Sequence, residues 1–232
     1  MHTSTVRQLI NSDLQKACIV QSQHQEWVQS PSKQVLRKRF HLVGEAESGQ
    51  VTSLVRYQPG AHFSQHDHPE GEEILVLEGV FSDAQGDWPH GSWLLNPEGF
   101  SHAPYSADGC LLLVKLRQYS HAAQVAVNWH DIKPDEQLSY PNHLLGQYGD
   151  VHTRVLELPT AKPLTRRYAA GVEGFVMAGQ AELAGTVLQA FDWFRLPPGA
   201  TLRLQSLGCT LYLKENAVAG LRDGADLRAT HD

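Results

Sequence analysis

Shifted by one hundred residues with no gap, residues 51–106 of this 232-residue chain match residues 151–206 at 13 of 56 positions, where chance gives only a few. The matches include Val51/Val151, Pro59/Pro159, Gly71/Gly171, Val76/Val176, Gly79/Gly179, Trp93/Trp193, Pro97/Pro197, Gly99/Gly199 and Ser106/Ser206. Beyond Ser106 a one-residue deletion restores register and sets Gly109-Cys110 over Gly208-Cys209. A fixed period of this kind marks repeated structural units. Whatever the first half folds into, the second half must fold into as well.

The residues between the matches read as strands. Val35 to Val43 and Val51 to Tyr57 are β-rich runs, and Glu73 to Gly79 is a buried-strand run ended by glycine. Asp83-Ala-Gln-Gly86 is turn chemistry, Trp93-Leu-Leu a short strand, and Cys110 to Leu116 a strongly apolar strand. Short strands punctuated by Gly and Pro predict an all-β chain of barrels or double-sheet jelly rolls. One short helix is expected, over Val6 to Lys16. Trp93, Trp193, Cys110 and Cys209 are expected in the cores. The set Arg37, Arg39 and His41 alternates with Lys38, Phe40 and Leu42, and the polar set is expected to face water.

Composition excludes several function classes. At 41% hydrophobic and 19% charged, the chain is that of a soluble globular protein. A formal charge of −6 with no long basic run argues against nucleic-acid binding. No apolar run reaches the roughly 20 residues of a membrane-spanning helix, and the N-terminus lacks the apolar core of a secretory signal. Cys18, Cys110 and Cys209 are an odd number at wide spacing, which suits reduced thiols in the cytoplasm. No Ser-His-Asp arrangement, phosphate loop or dinucleotide fingerprint is present, so the only chemistry left is metal chemistry.

That chemistry centres on Gly60 to His102. His66 and His68 are two residues apart and leave the same face of an extended strand, Glu72 has the same parity, and His102 follows after a turn-rich connection. Three imidazoles and one carboxylate suit a single divalent metal ion. The second copy sharpens this. His66 becomes Arg166, His68 becomes Tyr168, Glu72 becomes Val172 and His102 becomes Leu202, while Glu73 persists as Glu173. Residues needed for folding survive in both copies; residues needed for one ion are lost as a set. The contrast favours Glu72 over Glu73 as the carboxylate. His62 shares the parity of His66, but a solvent-facing position is expected after the Pro59-Gly60 turn.

Gly60-x5-His66-x-His68-x3-Glu72-x6-Gly79 resembles the first cupin motif with every spacing intact. Gly91-x5-Pro97-x-Gly99-x2-His102 resembles the second, with Ser106 in place of its usual terminal Asn. Within the cupins, the run from Pro59-Gly-Ala to His102-Ala-Pro is similar to the ChrR-like group, most densely over residues 27–118 and as a degenerate repeat over 129–215. In ChrR-type proteins this domain binds zinc through three His and one Glu and follows a zinc-bearing anti-sigma domain. The resemblance implies a regulatory, stress-response context with a sigma factor or other regulatory protein as partner. The His-x3-Cys-x2-Cys ligands of the anti-sigma domain are absent from this sequence, and residues 1–34 are too short to hold that helical domain. The same cupin group resembles metal-dependent dioxygenases that cleave carbon–carbon bonds in small oxygenated compounds.

The expectation is therefore two tandem cupin barrels: an N-terminal arm (1–34), a metal-binding cupin (35–120), a degenerate cupin (121–220) and a polar tail (221–232). The cofactor is one divalent ion on His66, His68, Glu72 and His102, with zinc first by resemblance and iron, manganese or nickel also compatible. Four protein ligands close a tetrahedral zinc sphere, which suits a structural or sensing role, whereas an octahedral ion keeps two positions for a substrate or dioxygen. Metal identity is thus the hinge between regulator and dioxygenase. A small-molecule ligand in the first barrel is a further expectation, and the resemblance to cupins implies a homodimer.

Overall fold

The computed structural model describes residues 7–135 and 138–224. It divides into two compact units. The first takes the described residues up to Asp13, then Glu26–Asn128, then the residues from Arg222; the second takes Leu14–Gln25 and Trp129–Leu221. Segment 1–34 is thus shared between the units, with strand Arg7–Ile10 in the first and Cys18–Val20 in the second. Three short 3₁₀ turns, Ser22–His24, Trp129–Asp131 and Val218–Gly220, punctuate the strands. No helix among the described residues is long and apolar enough to cross a membrane.

In the first unit the main antiparallel sheet runs Arg7–Ile10, Val35–Glu45, Gln50–Tyr57, Cys110–Leu116, Glu72–Asp83, Ser92–Asn96, Val125–Asn128. In the second it runs Asn142–Tyr148, Val151–Leu158, Thr201–Glu215, Val172–Leu183, Trp193–Leu196, Cys18–Val20. The repeat is visible in the order. Each tryptophan-bearing strand has an outer neighbour, Val125–Asn128 in one unit and Cys18–Val20 in the other. The arm supplies to the second unit what the chain after Leu116 supplies to the first.

Strand parity builds the cores. Ile74 and Val76 alternate with Leu75 and Leu77, and all four are buried, so the Glu72–Asp83 strand is covered on both faces. Ile74 and Val76 pack with Val35, Tyr57, Leu94, Leu112 and Val114. A β-bulge then shifts the parity: Leu112 pairs with Val76, but Leu111 pairs with Glu78. The extra residue returns Phe81 to the same cluster. The second unit repeats the bulge at the same place, with Leu211 on Val176 and Thr210 on Ala178.

Gly79 and Gly179 follow the two bulges, both at φ +74°. A Cβ there would lie 2.2 Å from the Gly109 carbonyl oxygen in the first unit and 1.9 Å from that of Gly208 in the second. Only glycine allows both the left-handed backbone and this approach, which is why the residue survives in both copies.

Two expectations are corrected. The predicted helix over Val6 to Lys16 is instead strand Arg7–Ile10, paired with Val35–Glu45, with turns after it; Val6 lies outside the described residues. Pairing along a sheet edge outweighs a weak helical preference in a segment this short. The set Arg37, Arg39 and His41 does not share a water-facing side. A second bulge between Arg39 and His41 breaks its alternation, His41 is fully buried, and Arg37 lines an internal cavity. Of the predicted tail, Arg222 is anchored to Gln50 and Glu70, Gly224 donates to the Ser12 carbonyl, and residues 225–232 lie outside the described set. The expected core positions of Trp93, Trp193, Cys110 and Cys209 hold.

Replacing Gly79 or Gly179 by Ala is expected to destabilise the protein by on the order of 2–3 kcal/mol. Gly60→Ala, with nothing within 4 Å of its Cβ position, bears only the backbone cost of about 1 kcal/mol. Chemical denaturation of the three variants measures the difference.

Candidate metal centre

His66 and His68 sit on the short strand His66–His68, which pairs antiparallel with Phe100–His102 so that His102 lies opposite His66. The pairing also brings His68 and His102, 34 apart in sequence, to 3.0 Å between their Nε2 atoms. The ring centroids of His66, His68 and His102 form a near-equilateral triangle of 4.8, 4.9 and 5.1 Å. One nitrogen from each lies within 4.8 Å of the others, so the trio could hold a metal ion. Glu72, first residue of the next strand, closes the arrangement. Its Oε2 is 3.4 Å from His68 Nε2 and 3.5 Å from His102 Nε2. His68, Glu72 and His102 are 6%, 6% and 4% exposed; His66 is half-buried at the edge. His62 is exposed and outside the group, and Asp67 is exposed.

The neighbouring strand end explains why Glu72 and not Glu73 is here. Glu73 leaves the opposite face, where its carboxylate accepts from Trp93 Nε1 at 2.7 Å and from the Tyr119 hydroxyl. Adjacent carboxylates on one strand therefore serve different partners.

Hydrogen bonds fix the tautomers. His66 Nδ1 lies 2.8 Å from the Ser64 carbonyl oxygen, which can only accept, so Nδ1 carries the proton and Nε2 keeps its lone pair. His102 Nδ1 is 3.1 Å from Asp83 Oδ2 and is fixed in the same way. Burial pushes the Asp83 carboxyl up, but donation from His102, the Gln85 amide and the Trp88 indole outweighs it and holds the group below its ordinary value. A carboxylate behind a ligating imidazole orients the ring and raises its basicity. Asn96 Nδ2 donates to Glu72 Oε2 at 3.3 Å and holds that side chain from the other direction.

The electrostatics of the group are compatible with a cation. Burial, then the neighbouring His102 and His66, lowers the pKa of His68 to about 3, so its ring is neutral and its lone pair available. Burial also lowers His66. Glu72 is pushed up to about 7, mainly by burial, against the opposing pull of His102 and Asn96. Nitrogen lone pairs and a carboxyl reluctant to ionise, all within a few ångströms, are what a divalent ion satisfies. The donor set fits such an ion, which would supply Lewis-acid or redox chemistry.

Beside these residues lies a cavity of about 370 Å³, lined by His66, His68, Glu72 and His102 together with Arg37, Tyr57, Phe63, Phe81, Leu112 and Arg117. Phe63 packs against His66 at 5.7 Å and Phe81 against His102 at 6.0 Å, so aromatic walls run directly onto the histidines. The second unit has no such site among its described residues. Tyr168, Val172 and Leu202, which replace His68, Glu72 and His102, are buried in its apolar core. Arg166, in place of His66, donates to Glu215 Oε1 at 2.8 Å; Arg154 and the Tyr168 hydroxyl reach the same carboxylate at 3.2 and 3.4 Å.

Sequence reasoning missed Asp83, Asn96, Arg37 and Arg117. The first was read only as a turn residue. The repeat carried the signal for two of them: Asp83 becomes Leu183 and Asn96 becomes Leu196, lost together with the residues they support. The arginines carried none, because the bulge that turns Arg37 inward is not written in its own strand.

Residues 15–120 match the model of the ChrR Cupin-like domain. No curated protein matches the sequence. Among solved structures, the chain resembles the bacterial pirin YhhW from Escherichia coli in complex with nickel(II), at 14% identity and TM-score 0.65 over 86% of this chain and 98% of that one. It resembles a cupin 2 conserved barrel domain protein from Leptotrichia buccalis at 9% identity and TM-score 0.59, covering 90% and 99%. It also resembles a point mutant of salicylate 1,2-dioxygenase from Pseudoaminobacter salicylatoxidans at 12% identity and TM-score 0.57, covering 73% and 70%.

Two expected outcomes follow from the geometry. Asp83→Ala is expected to weaken metal binding by about 10- to 100-fold without unfolding the protein, measured by competition with a chromogenic chelator. Glu72→Gln is expected to stabilise the metal-free protein. Because folding raises the Glu72 pKa from 4.5 to about 7, the native state holds more protons than the unfolded chain in that window. The contribution of this group to stability therefore falls as pH rises from about 4.5 to about 7 and stays low above it. With chelator present, the variant should exceed the parent protein at about pH 8 by on the order of 2 kcal/mol and match it near about pH 4.

The chain has the cupin fold, and over residues 15–120 it matches the ChrR cupin-like domain.

Proposed function

We propose that the chain is a bicupin whose first barrel binds one divalent metal ion on His66, His68, Glu72 and His102. We further propose that it acts there on a small oxygenated compound as a mononuclear metal-dependent dioxygenase. The observation that carries this reading is the cavity: a space of about 370 Å³ walled by apolar and aromatic side chains opens against all four residues. A site with only a structural ion has no need of such a chamber, whereas substrate pockets have this size and lining. Asp83 and Asn96 hold His102 and Glu72 in place. Tyr57, Phe63 and Phe81 exclude water from the inner wall. The likeness to a dioxygenase and to a nickel-bearing pirin supports the reading as one of fold only.

A second reading rests on a different observation. The match over residues 15–120 is to the ChrR cupin-like domain, and four protein ligands complete a tetrahedral zinc sphere. In that reading the barrel holds zinc and serves a regulatory or stress-sensing role, with a sigma factor or other regulatory protein as partner.

Elemental analysis with oxygen-electrode measurements separates the two. The parent protein should carry close to one metal ion per chain, His62→Ala should keep it, and the double variant His66→Ala/His102→Ala should lose it. Bound iron with oxygen uptake dependent on a small hydroxylated aromatic establishes the enzyme. Tightly held zinc with no oxygen uptake across such a panel favours the regulator. Retention of stoichiometric metal by the double variant would refute the ligand set.

A further inference from the structure

The cavity contains a feature that metal binding does not use. Arg37 lines it, on strand Val35–Glu45, and its Nε is buried without any hydrogen-bond partner. A buried guanidinium N–H left unmade costs more than a kilocalorie-scale hydrogen bond gains, so it marks a place where something else completes the arrangement. The rest of this guanidinium is only half satisfied. Arg37 Nη2 pairs with Glu47 Oε1, and Arg39 Nη2 lies 3.3 Å from the same oxygen. Two guanidiniums share one carboxylate, and that carboxylate side chain is half exposed. At the same cavity, Arg117 is held only loosely by Glu70, 3.9 Å away, while Glu70 is engaged more closely by Arg222. The cavity is thus lined by two arginines and by Glu47, Asp67 and Glu72, and of the two arginines Arg37 has an idle donor.

The second unit provides the contrast. Arg37 is opposite Val55 in the first unit, and His143 is opposite Val155 in the second. His143 has both ring nitrogens occupied, by the Ile132 carbonyl at 2.7 Å and by Glu157 at 2.9 Å. Where the metal residues are gone, the position equivalent to Arg37 is closed off by its own protein. Where they are present, it is left open.

We infer that the first cavity binds a small organic carboxylate, its carboxylate taken by the Nε–H and a terminal N–H of Arg37 and its apolar body lying against Tyr57, Phe63 and Phe81 toward the histidine cluster. Guanidinium meets carboxylate in this two-point manner because the spacing of its N–H groups matches the two oxygens. The three rings meet edge to face at Tyr57, 5.8 Å from Phe63 and 5.9 Å from Phe81, which favours a flat aromatic body over a branched aliphatic one. The inference names the substrate class of the site proposed above and rests on that reading for its catalytic meaning, though not for the binding itself.

The test is calorimetric titration of the full chain, metal-loaded and metal-free, with benzoate and with its neutral isostere benzamide. Benzoate should bind both forms and bind at least about tenfold more tightly than benzamide, as loss of a charge-assisted pair requires. Arg37→Gln should lose roughly tenfold or more in benzoate affinity while metal stoichiometry and benzamide binding stay as in the parent. Glu47→Gln, which removes the competing carboxylate and leaves Arg37 in place, should bind benzoate more tightly. Equal binding of benzoate and benzamide, or benzoate affinity unchanged in both variants, overturns the carboxylate site. Stoichiometric metal with no benzoate binding also overturns it and leaves the metal centre standing. Arg37-dependent benzoate binding by protein that takes up no metal does the reverse, keeping the carboxylate site and sinking the metal reading.

Discussion

The Glu72–Asp83 strand carries two adjacent carboxylates to opposite faces, and most of the first unit depends on that division. Glu73 is part of the scaffold: it accepts from Trp93 and Tyr119, and it lies opposite buried Lys115 in the sheet. The second unit keeps the arrangement, with Glu173 opposite Lys214. Glu72 faces inward, where Asn96 donates to it and the imidazoles of His68 and His102 lie 3.4 and 3.5 Å away. Desolvation makes its ionised form costly unless a cation is supplied. One strand thus anchors the fold with one carboxylate and creates the demand for an ion with the next.

Distance along that strand also matters. Its far end, Asp83, returns to orient His102, a residue delivered by a separate two-stranded sheet. The bulge at Val76–Glu78 is what makes this possible, because it changes the parity between the two ends. Without the extra residue, Phe81 would leave the cluster it shares with Ile74 and Val76, and the neighbouring Asp83 would be turned as well. The glycine that follows the bulge is therefore a requirement of the site as well as of the fold.

Much of this was legible in the residues. The repeat predicted two like units, and the coordinated replacement of His66, His68, Glu72 and His102, with Glu73 kept, singled out the group that the structure brings together. What escaped was set by contacts distant in sequence. The helix expected over Val6 to Lys16 lost to pairing with Val35–Glu45, an edge that a local reading cannot see. Arg37 was expected to face water because alternation was extended through a bulge whose cause lies in the pairing with Gln50–Tyr57. Asp83 and Asn96 are readable in principle, since both become leucine in the second copy.

The second unit solves the same electrostatic problem differently. Around Glu215 it gathers Arg166, Arg154 and the Tyr168 hydroxyl, so its buried carboxylate is balanced by cations that are part of the polypeptide. On the proposed metal reading, the first unit would take its balancing charge from solution. By mass action, a state stabilised by a borrowed ion grows firmer or looser with the free concentration of that ion, whereas one with built-in cations does not respond. On that reading the stability of the first unit would follow metal supply, and that of the second would not. Depletion of the proposed ion would then loosen the first unit and leave the second intact.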